Sequence, residues 1–443
     1  MAVYFNLAYM QFIPQIIFIV IIIFSIGLFY KNMSGVWQSI HLGKPEVIND
    51  FPIRRWKNVF LLAIGQKKLF KNPFVGILHL IIYAGFIIIN LEMAEIILDG
   101  ILGTHRILLP FFELNYATFI NLFEILAFSV LIVCVIFLCR RNLFQLKRFQ
   151  HVDLEGSPKL DANIILITEI LLMIFFLLMN ASDQALQQLH INHYRNTGPL
   201  LISQFMTPFF SNLESSQLII LERIFWWLHI LGVFAFLNYL PYSKHLHIIL
   251  AFPNAYYARL TPSGTLNNMP VVQKEVTLML HPEEAINNQN EIVQRFGAKD
   301  IQDLSWKNLL EAFSCSECGR CTQACPASIT GKKLSPRKVM MATRDRAEEV
   351  SLCINKQQPL QNNSSSLLEK IGIESIQACT TCNACVEVCP ISISPVEIIM
   401  ELRRGLVMED SNVPKEWNIM FNNMENNFAP WQFSPEQRDK WGQ

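Results

Sequence analysis

Two runs of cysteines with identical spacing constrain this chain more than any other feature. They are Cys315–Pro326 and Cys379–Pro390, and each reads C-x2-C-x2-C-x3-C-P. A zinc site typically uses two well-separated pairs of ligands, whereas here four thiols fall within eleven residues and the pattern repeats. A disulfide scaffold is disfavoured by the reducing compartment derived below. The spacing is that of thiolates around iron–sulfur clusters, so the sequence predicts two 4Fe–4S clusters.

The fourth cysteine of each run is expected to serve the cluster of the other run, as this spacing does in two-cluster proteins. Cluster 1 is then held by Cys315, Cys318, Cys321 and Cys389. Cluster 2 is held by Cys379, Cys382, Cys385 and Cys325. The other three cysteines are interpreted as packing residues: Cys134, Cys139 and Cys353.

The apolar residues divide the chain into two unlike halves. Residues 1–250 carry almost all the long apolar runs, and residues 260–443 are polar. A bilayer crossing needs about 20 mostly apolar residues. Five runs meet that length, at roughly 12–30, 74–96, 117–139, 162–182 and 218–241. The first is interpreted as an uncleaved span, since no lysine or arginine precedes it and no small-residue cleavage site follows.

Lysine and arginine in the short loops predict the orientation of these spans. The loops 31–73 and 140–161 hold eight and five such residues, while the loops 97–116 and 183–217 hold only Arg106 and Arg195. Basic loops stay on the cytoplasmic side. We therefore expect an integral protein of a bacterial or archaeal cytoplasmic (inner) membrane, with its N-terminus outside and its cysteine-rich half in the reducing cytoplasm.

The expected fold is mainly α, a five-helix transmembrane bundle followed by an α-helical, ferredoxin-like domain with two clusters. The expected boundaries are a membrane domain at 1–250, a connector at 251–300, a cluster domain at 301–410 and an aromatic tail at 411–443. A helix is predicted at 303–313 and an interfacial helix at 56–70. The tail is a candidate partner-docking segment. Zero net charge and the lack of basic, aromatic-interleaved stretches argue against nucleic acid as a partner.

Histidines in two of the spans are candidate haem ligands, because ionisable residues within a membrane usually serve a function. His79 lies near the inner end of the second span, and His229 lies within the fifth. Eighteen residues separate His229 from His247, which is five turns of a continuous helix. We therefore expect His247, or its neighbour His245, at the depth of His79. In a helix His245 and His247 point to opposite faces, so at most one of them is expected to bind the haem iron.

A family resemblance rests on these residues. His79, His229, Pro241, Ser243 and His247 resemble the b-haem membrane subunit of respiratory nitrate reductase and the related membrane subunits of heterodisulfide reductase and sulfite-reduction complexes. The resemblance covers most of residues 1–250 and implies five spans, b haem and electron exchange with menaquinone or another quinone.

The chain departs from that family at one position. The nitrate reductase subunit has another histidine ten residues after the first, and here that residue is Ile89. The outer histidine, His229, therefore has no evident partner. Candidates in the outer loops are His105, His190 and His193. One b haem is predicted, and a second is left open.

The cysteine half also resembles a family, the two-cluster iron–sulfur subunit of heterodisulfide reductases. The resemblance rests on Cys318–Cys321, Gly331–Lys338 and Asn427–Trp431. It implies a companion iron–sulfur subunit with CCG-type cysteine domains, and this sequence contains no CCG repeat of its own.

Acidic residues in the spans are candidates for proton transfer to or from a quinone, because buried carboxylates usually face a polar cavity. Glu92 and Glu124, both toward the outside, are the two we single out. Hydrogen bonding between helices is an equally good explanation for them.

The sequence therefore predicts a membrane-bound relay of electrons between the quinone pool and a cytoplasmic partner. We expect it to be the electron-transfer subunit of a quinone-linked, heterodisulfide-reductase-like complex. One alternative is a self-contained quinone reductase fed by a diffusible ferredoxin or flavoprotein. Another is a membrane redox sensor. No nucleotide or flavin motif is evident.

Overall fold

The computed structural model describes residues 2–112, 115–144, 146–262, 264–281, 295–358, 365–437 and 439–442, with side chains from residue 12 onward. Within these residues the chain is helical and has no β-strand. One parallel bridge, between Lys44 and Ser305, is the only β-type pairing seen there. The predicted mainly α fold is confirmed.

In the described part of the chain, five helices are long and apolar enough to cross a membrane, as the sequence predicted. They are α1 (Ala2–Ile40), α3 (Pro73–Leu102), α5 (Tyr116–Asn142), α6 (Ser157–Gln188) and α7 (Ser215–Tyr239). Three shorter helices belong to the same half: α2 (Pro52–Asn58), α4 (Leu109–Phe112) and α8 (His247–Tyr256). The predicted interfacial helix is shorter than expected, because the chain passes from α2 into a π-helical turn, Val59–Ile64, and then leaves the helix at Gly65.

The bundle is held by large side chains that meet at its centre. Phe18 of α1 is buried against Trp226 of α7, with ring centroids 5.1 Å apart, and Phe123 and Phe176 join the same core. Phe18, Phe123 and Phe176 are each about 1% exposed. Much of the remaining apolar surface of these helices faces outward, as expected of a bundle whose surroundings are lipid.

The cysteine half is built from short helices around its own core. Their bounds are Pro270–Leu280, Trp306–Phe313, Arg320–Ala324, Pro326–Ile329, Pro336–Asn355, Leu367–Ile371, Ile373–Gln377, Ala384–Val388, Pro395–Met408 and Lys415–Asn427. The helix predicted at 303–313 is confirmed and begins at Trp306, where the Ser305 side chain accepts a hydrogen bond from the Asn308 amide. Residues 282–294 of the expected connector lie outside the described residues.

The two halves share one hydrophobic core. Val36 and Ile40 of α1 and Leu250 of α8 are buried together with Leu309 and Phe313 of the cysteine half. This contact explains why α1 continues to Ile40, ten residues past the apolar run that predicted it. The cysteine half is therefore held directly against the ends of the spans that carry the basic loops.

The fifth span does not continue to His247 as one helix, so the expectation of five continuous helical turns between His229 and His247 is wrong. Pro241 cannot donate an amide hydrogen, so the α-helical hydrogen-bond pattern is interrupted there. The helix accordingly ends at Tyr239, and two 3-10 turns follow, Leu240–Tyr242 and Lys244–Leu246. The carboxylate of Asp161 on α6 secures these turns by accepting hydrogen bonds from the Tyr239 hydroxyl (2.6 Å) and the Ser243 hydroxyl (2.7 Å).

Candidate redox site

The two cysteine loops have the same backbone conformation. Glu317 and Gly319 in the first loop have φ angles of 54° and 74°, and Thr381 and Asn383 at the matching positions have 56° and 59°. Each loop runs into a five-residue helix, and these two helices pack against each other. The repeated spacing in the sequence thus gives a repeated fold, which brings the fourth cysteine of each run toward the other loop.

The thiols of cluster 1 are neighbours in the structure. Burial raises the pKa of Cys389 to about 11, and the next cause is repulsion by the Cys318 thiolate. The pKa of Cys315 is raised to about 12, first by burial and further by Cys318 and Cys389. The pKa of Cys321 is also raised, first by burial and then by Cys315, Cys318 and Cys389. Cys389, from the second run, therefore lies with the first three cysteines of the first run.

The thiols predicted for cluster 2 are grouped in the same way. The pKa of Cys385 is raised to about 12 by burial and then by its neighbours Cys379, Cys325 and Cys382. Within the described residues, no three such side chains close on a point that would hold a single metal ion. A four-iron cluster has a separate iron for each thiolate, so its ligands stand further apart than those of one ion. The two groups of four thiols fit that kind of cluster.

A single cavity of about 500 Å³ connects the cysteine half to the interior of the bundle. Its volume is in the range of sites that hold cofactors. All four cysteines of cluster 1 line it, together with four histidines: His79, His229, His245 and His247. Of the cluster 2 cysteines, only Cys385 reaches it. Cluster 1 is therefore the one that faces the histidines.

Two of these histidines are held in the manner of metal ligands. Nδ1 of His247 lies 2.9 Å from the carbonyl oxygen of Lys244, and Nδ1 of His79 lies 3.0 Å from Oε1 of Gln66. Both partners are acceptors, so each Nδ1 carries the hydrogen and each Nε2 keeps its lone pair. A ring nitrogen tied in this way fixes the orientation of the other one toward a metal. The chemistry of the pair fits axial ligation of a haem iron.

His245 does not point away from His247, which corrects the expectation of opposite faces. The 3-10 turn at Lys244–Leu246 brings both rings to the cavity, with centroids 5.6 Å apart. The pKa of His245 is lowered to about 3, mainly by burial and then by repulsion from His247 and His79. The three imidazoles are thus close together and favoured in the neutral form, which is the form that binds metals.

Basic side chains line the cavity near cluster 1. Arg140, Arg148 and Arg320 all face it. No carboxylate lies within ion-pair distance of any of the three in the described part of the chain. Arg148 lies close enough to Cys318 for attraction to that thiolate to oppose the lowering of the Arg148 pKa by burial. The site therefore offers positive charge to an anionic group, such as a cluster or the carboxylates of a haem.

The acids singled out from the sequence lie in a buried polar network at the opposite end of the bundle. Glu124 accepts hydrogen bonds from Asn180 Nδ2 (3.2 Å) and from the Ile202 amide (2.9 Å), among others, and so ties an outer loop to two helices. Glu92 accepts from Arg106 (3.3 Å), and its second oxygen is buried without a hydrogen-bond partner among the described residues. Of the two, Glu92 better fits a proton-carrying role.

The outer-loop histidines do not reach His229. His105 is hydrogen-bonded to Asp183 at 3.1 Å, its ring centroid lies 5.7 Å from that of His193, and His190 is exposed. The contacts of His229 are instead the Leu172 carbonyl and Met93 Sδ, at 2.9 and 3.3 Å. Sequence reasoning missed Met93 as well as Gln66. Neither residue belongs to a recognisable sequence pattern, although Met93 lies one helical turn beyond Ile89, the position where the nitrate reductase subunit has a histidine.

Comparisons with known proteins bear on the cysteine half and on the whole chain. Two families described as 4Fe–4S dicluster domains match residues 314–393 and 277–330. One polypeptide of the dihydromethanophenazine:CoB–CoM heterodisulfide reductase of Methanosarcina barkeri is 32% identical over 119 residues, which are 26% of this chain and 29% of that protein. The cysteine half is thus an iron–sulfur domain with relatives among heterodisulfide reductase subunits, as the resemblance implied.

Two longer relatives match nearly the whole chain. A probable iron–sulfur-binding oxidoreductase, FadF, of Bacillus subtilis is 26% identical and is matched by 96% of this chain. The EtfAB:quinone oxidoreductase of Syntrophomonas wolfei is 27% identical and is matched by 98%. The chain spans 60% of the length of each. No solved structure matches it. These relatives support an electron-transfer function, and the haem assignment stays a prediction.

Proposed function

We propose that this protein carries electrons across the boundary between a membrane quinone pool and an iron–sulfur partner in the cytoplasm. The proposed order of carriers is quinone, b haem, cluster 1, cluster 2 and partner. The observation that carries the proposal is the shared cavity, because His79, His247 and the four cluster 1 thiols all line it. A haem and a cluster supply the redox chemistry when bound, and the chain supplies ligands, spacing and electrostatics.

The residues around the cavity suit these roles. His79 and His247 would hold the haem iron through Nε2, with His245 as the alternative to His247. Arg140, Arg148 and Arg320 would pair with the haem carboxylates or offset the charge of cluster 1. The apolar walls contributed by α3, α6 and α7 exclude water, which strengthens each of these electrostatic interactions.

The quinone, the partner and the orientation rest on other observations. Quinone is proposed because a relative that matches 98% of the chain is named a quinone oxidoreductase. A CCG-type iron–sulfur subunit or domain is proposed as partner because the cysteine half resembles a polypeptide of heterodisulfide reductase. The cytoplasm is proposed because thirteen lysine and arginine residues lie in the two loops on the same end of the bundle as the cysteine half.

Haem and iron analysis of histidine variants tests the proposal. We expect His79→Ala and His247→Ala to lower b-haem content, measured as pyridine haemochrome per chain, and to leave iron–sulfur absorption unchanged. His41→Ala is the matched control, because His41 is exposed beyond the end of α1 and lies outside the cavity. Wild-type haem content in both cavity variants would overturn the assignment.

A second measurement tests the order of carriers. Anaerobic addition of a menaquinol analogue to the wild-type protein should reduce the haem and then the clusters, or reduced clusters should pass electrons to the haem and the quinone. His79→Ala should block exchange between quinone and clusters in both directions. Unimpaired exchange in this variant would show that the haem is not on the path.

A further inference from the structure

The short loop that leads into α3 touches both kinds of candidate redox centre. It follows the π-helical turn Val59–Ile64 and ends where α3 begins, at Pro73. In this loop Gln66 accepts the hydrogen bond from Nδ1 of His79, at 3.0 Å. Two residues later, the side chain of Lys68 leaves the membrane half and reaches the second cysteine run. One loop of the membrane half thus contacts a proposed haem ligand and the cluster domain.

Lys68 is bonded to the backbone segment on both sides of Cys389. Its Nζ donates to the carbonyl oxygen of Val386 at 3.1 Å and to the hydroxyl of Ser392 at 3.0 Å. The same Val386 carbonyl accepts from the Cys389 amide at 3.3 Å, and the Ser392 amide donates to the Cys389 carbonyl at 3.2 Å. Cys389 is the fourth ligand of cluster 1, supplied by the second run. Lys68 therefore holds the turn that carries this ligand at two points.

The charge of Lys68 is not neutralised by an acid. In the described part of the chain no carboxylate forms an ion pair with it. The nearby Glu387 pairs with Lys71 instead, at 2.6 Å on the surface. Burial lowers the pKa of Lys68, and attraction to the Cys389 thiolate is the first of the effects that oppose this lowering. The ammonium group thus has the ligands of cluster 1 as its main negative neighbours.

The turn that Lys68 holds also supplies a hydrogen bond to the ligand sulfur. The amide of Ile393 donates to Sγ of Cys389 at 3.3 Å, and the residue before it, Ser392, has a φ of 59°. The potential of an iron–sulfur cluster depends on nearby charge, on hydrogen bonds to its sulfurs and on its exposure. Lys68 acts on the first by its ammonium group and on the second through Ser392.

We propose that Lys68 is a positioning residue for Cys389 and that its charge raises the reduction potential of cluster 1. Reduction adds one electron, and so one negative charge, to the cluster without making or breaking a bond. A nearby positive charge that is partly shielded from water stabilises this added charge. The inference rests on the proposed function, because cluster 1 is the carrier next to the haem in that relay. A membrane-half residue would then set the potential of the cluster that the histidines face.

Redox titrations of the full-length purified protein, followed by EPR, test this role. The signal that remains in Cys382→Ala identifies cluster 1. Lys68→Met should lower the midpoint potential of cluster 1 and leave that of cluster 2 unchanged, whereas Lys68→Arg should keep both near their wild-type values. Lys71→Met is the matched control, because Lys71 lies in the same loop and carries the same charge but is 62% exposed and pairs with Glu387. It should shift neither potential.

A second neutral variant covers the case in which Lys68→Met loses cluster 1, measured as iron and sulfide per chain. The amide of Lys68→Gln is uncharged and can still donate to Ser392, so this variant should retain the cluster at a lowered potential. Loss of cluster 1 from both neutral variants but not from Lys68→Arg also supports the inference, because the charge would then be what holds the ligand. Loss from all three would overturn it.

Two further outcomes would overturn the inference. One is a wild-type potential of cluster 1 in Lys68→Met, and the other is an equal shift in Lys71→Met, since any charge on the loop would then have the same effect. The titrations need neither haem nor quinone. Either result in a protein that binds haem would leave the proposed function intact, and absence of haem from the wild-type protein would overturn the proposed function without altering the cluster potentials.

Discussion

The two cysteine loops share one backbone conformation and lie in different surroundings. The first loop is covered by the inner ends of the spans: the Glu317 side chain is 3% exposed and is bonded to Lys244 and to Arg344. The second loop is less completely covered: the Glu387 side chain, at 61% exposure, pairs with Lys71 at the surface, and Cys382 is exposed. The same ligand spacing therefore serves one cluster that faces the interior and one that faces solvent.

This difference assigns unlike tasks to the two clusters. A cluster enclosed between the halves suits transfer to the cavity that holds the histidines. A cluster with an exposed cysteine suits exchange with another protein, because a partner can approach it closely. The proposed order of the two clusters thus rests on the burial of the loops and not on their sequence, in which the cysteine spacing is identical.

The largest expected effect comes from removing one ligand from each cluster. Cys318→Ala and Cys382→Ala should each leave one cluster in place of two, measured as iron and sulfide per chain. Reduced viologen should still reduce the haem rapidly in Cys382→Ala, because electrons can enter at cluster 1. In Cys318→Ala, haem reduction should fall to the slow rate of direct attack on a buried haem, followed by stopped-flow absorbance.

Equal and rapid haem reduction in the two cysteine variants would break the comparison, since both clusters would then serve equally as entry points. Cys353→Ala is a suitable control, because Cys353 belongs to neither group of thiols. It should retain both clusters and wild-type kinetics.

The second effect distinguishes the acidic residues of the two loops. Glu317→Gln should destabilise the protein by about 3 kcal/mol, because it removes the buried negative charge that both Lys244 and Arg344 contact. Glu387→Gln should cost less than about 1 kcal/mol, since exposed ion pairs contribute little. Denaturant unfolding in detergent, monitored by the loss of cluster absorbance, measures both. Equal losses would mean that the two loops are equally well covered.

The pH dependence of the surface pair gives the same comparison a second test. A hydrogen bond from Lys71 lowers the pKa of Glu387. The small contribution of this pair is therefore present above the unfolded-state value of about 4.3 and is lost as the pH falls through the folded value. High salt should weaken it. The difference in unfolding free energy between wild type and Glu387→Gln should therefore shrink as the pH falls through this range.

The sequence predicted what depends on spacing and composition. Five apolar runs indicated the five spans, and the repeated cysteine pattern indicated the two groups of thiols, including the crossover of Cys325 and Cys389. What it missed depends on contacts between distant segments. The end of α7 at Tyr239 could be inferred from Pro241 alone, but the placement of both His245 and His247 at the cavity needed the turn that Asp161 secures. Gln66 and Met93 became visible only as partners of histidines.

A last comparison concerns the residue that follows the second cysteine of each loop. Gly319 and Asn383 both have positive φ, at 74° and 59°, but Asn383 carries a side chain, whereas Gly319 has no room for one. A Cβ at Gly319 would lie 2.5 Å from Nη1 of Arg337 and 3.0 Å from the backbone oxygen of Arg148. The backbone oxygen cannot move without shifting the inner loop of the membrane half.

Gly319→Ala should therefore destabilise the protein by about 2 kcal/mol, which combines the cost of a side chain in the left-handed region with displacement of Arg337. Asn383→Gly should stay within about 0.5 kcal/mol, because asparagine and glycine both adopt this conformation. Thermal release of the clusters measures both changes in one assay. A loss in Gly319→Ala no larger than that in Asn383→Gly would mean that the first loop does not press against the membrane half, and the unequal surroundings of the two clusters would then need another cause.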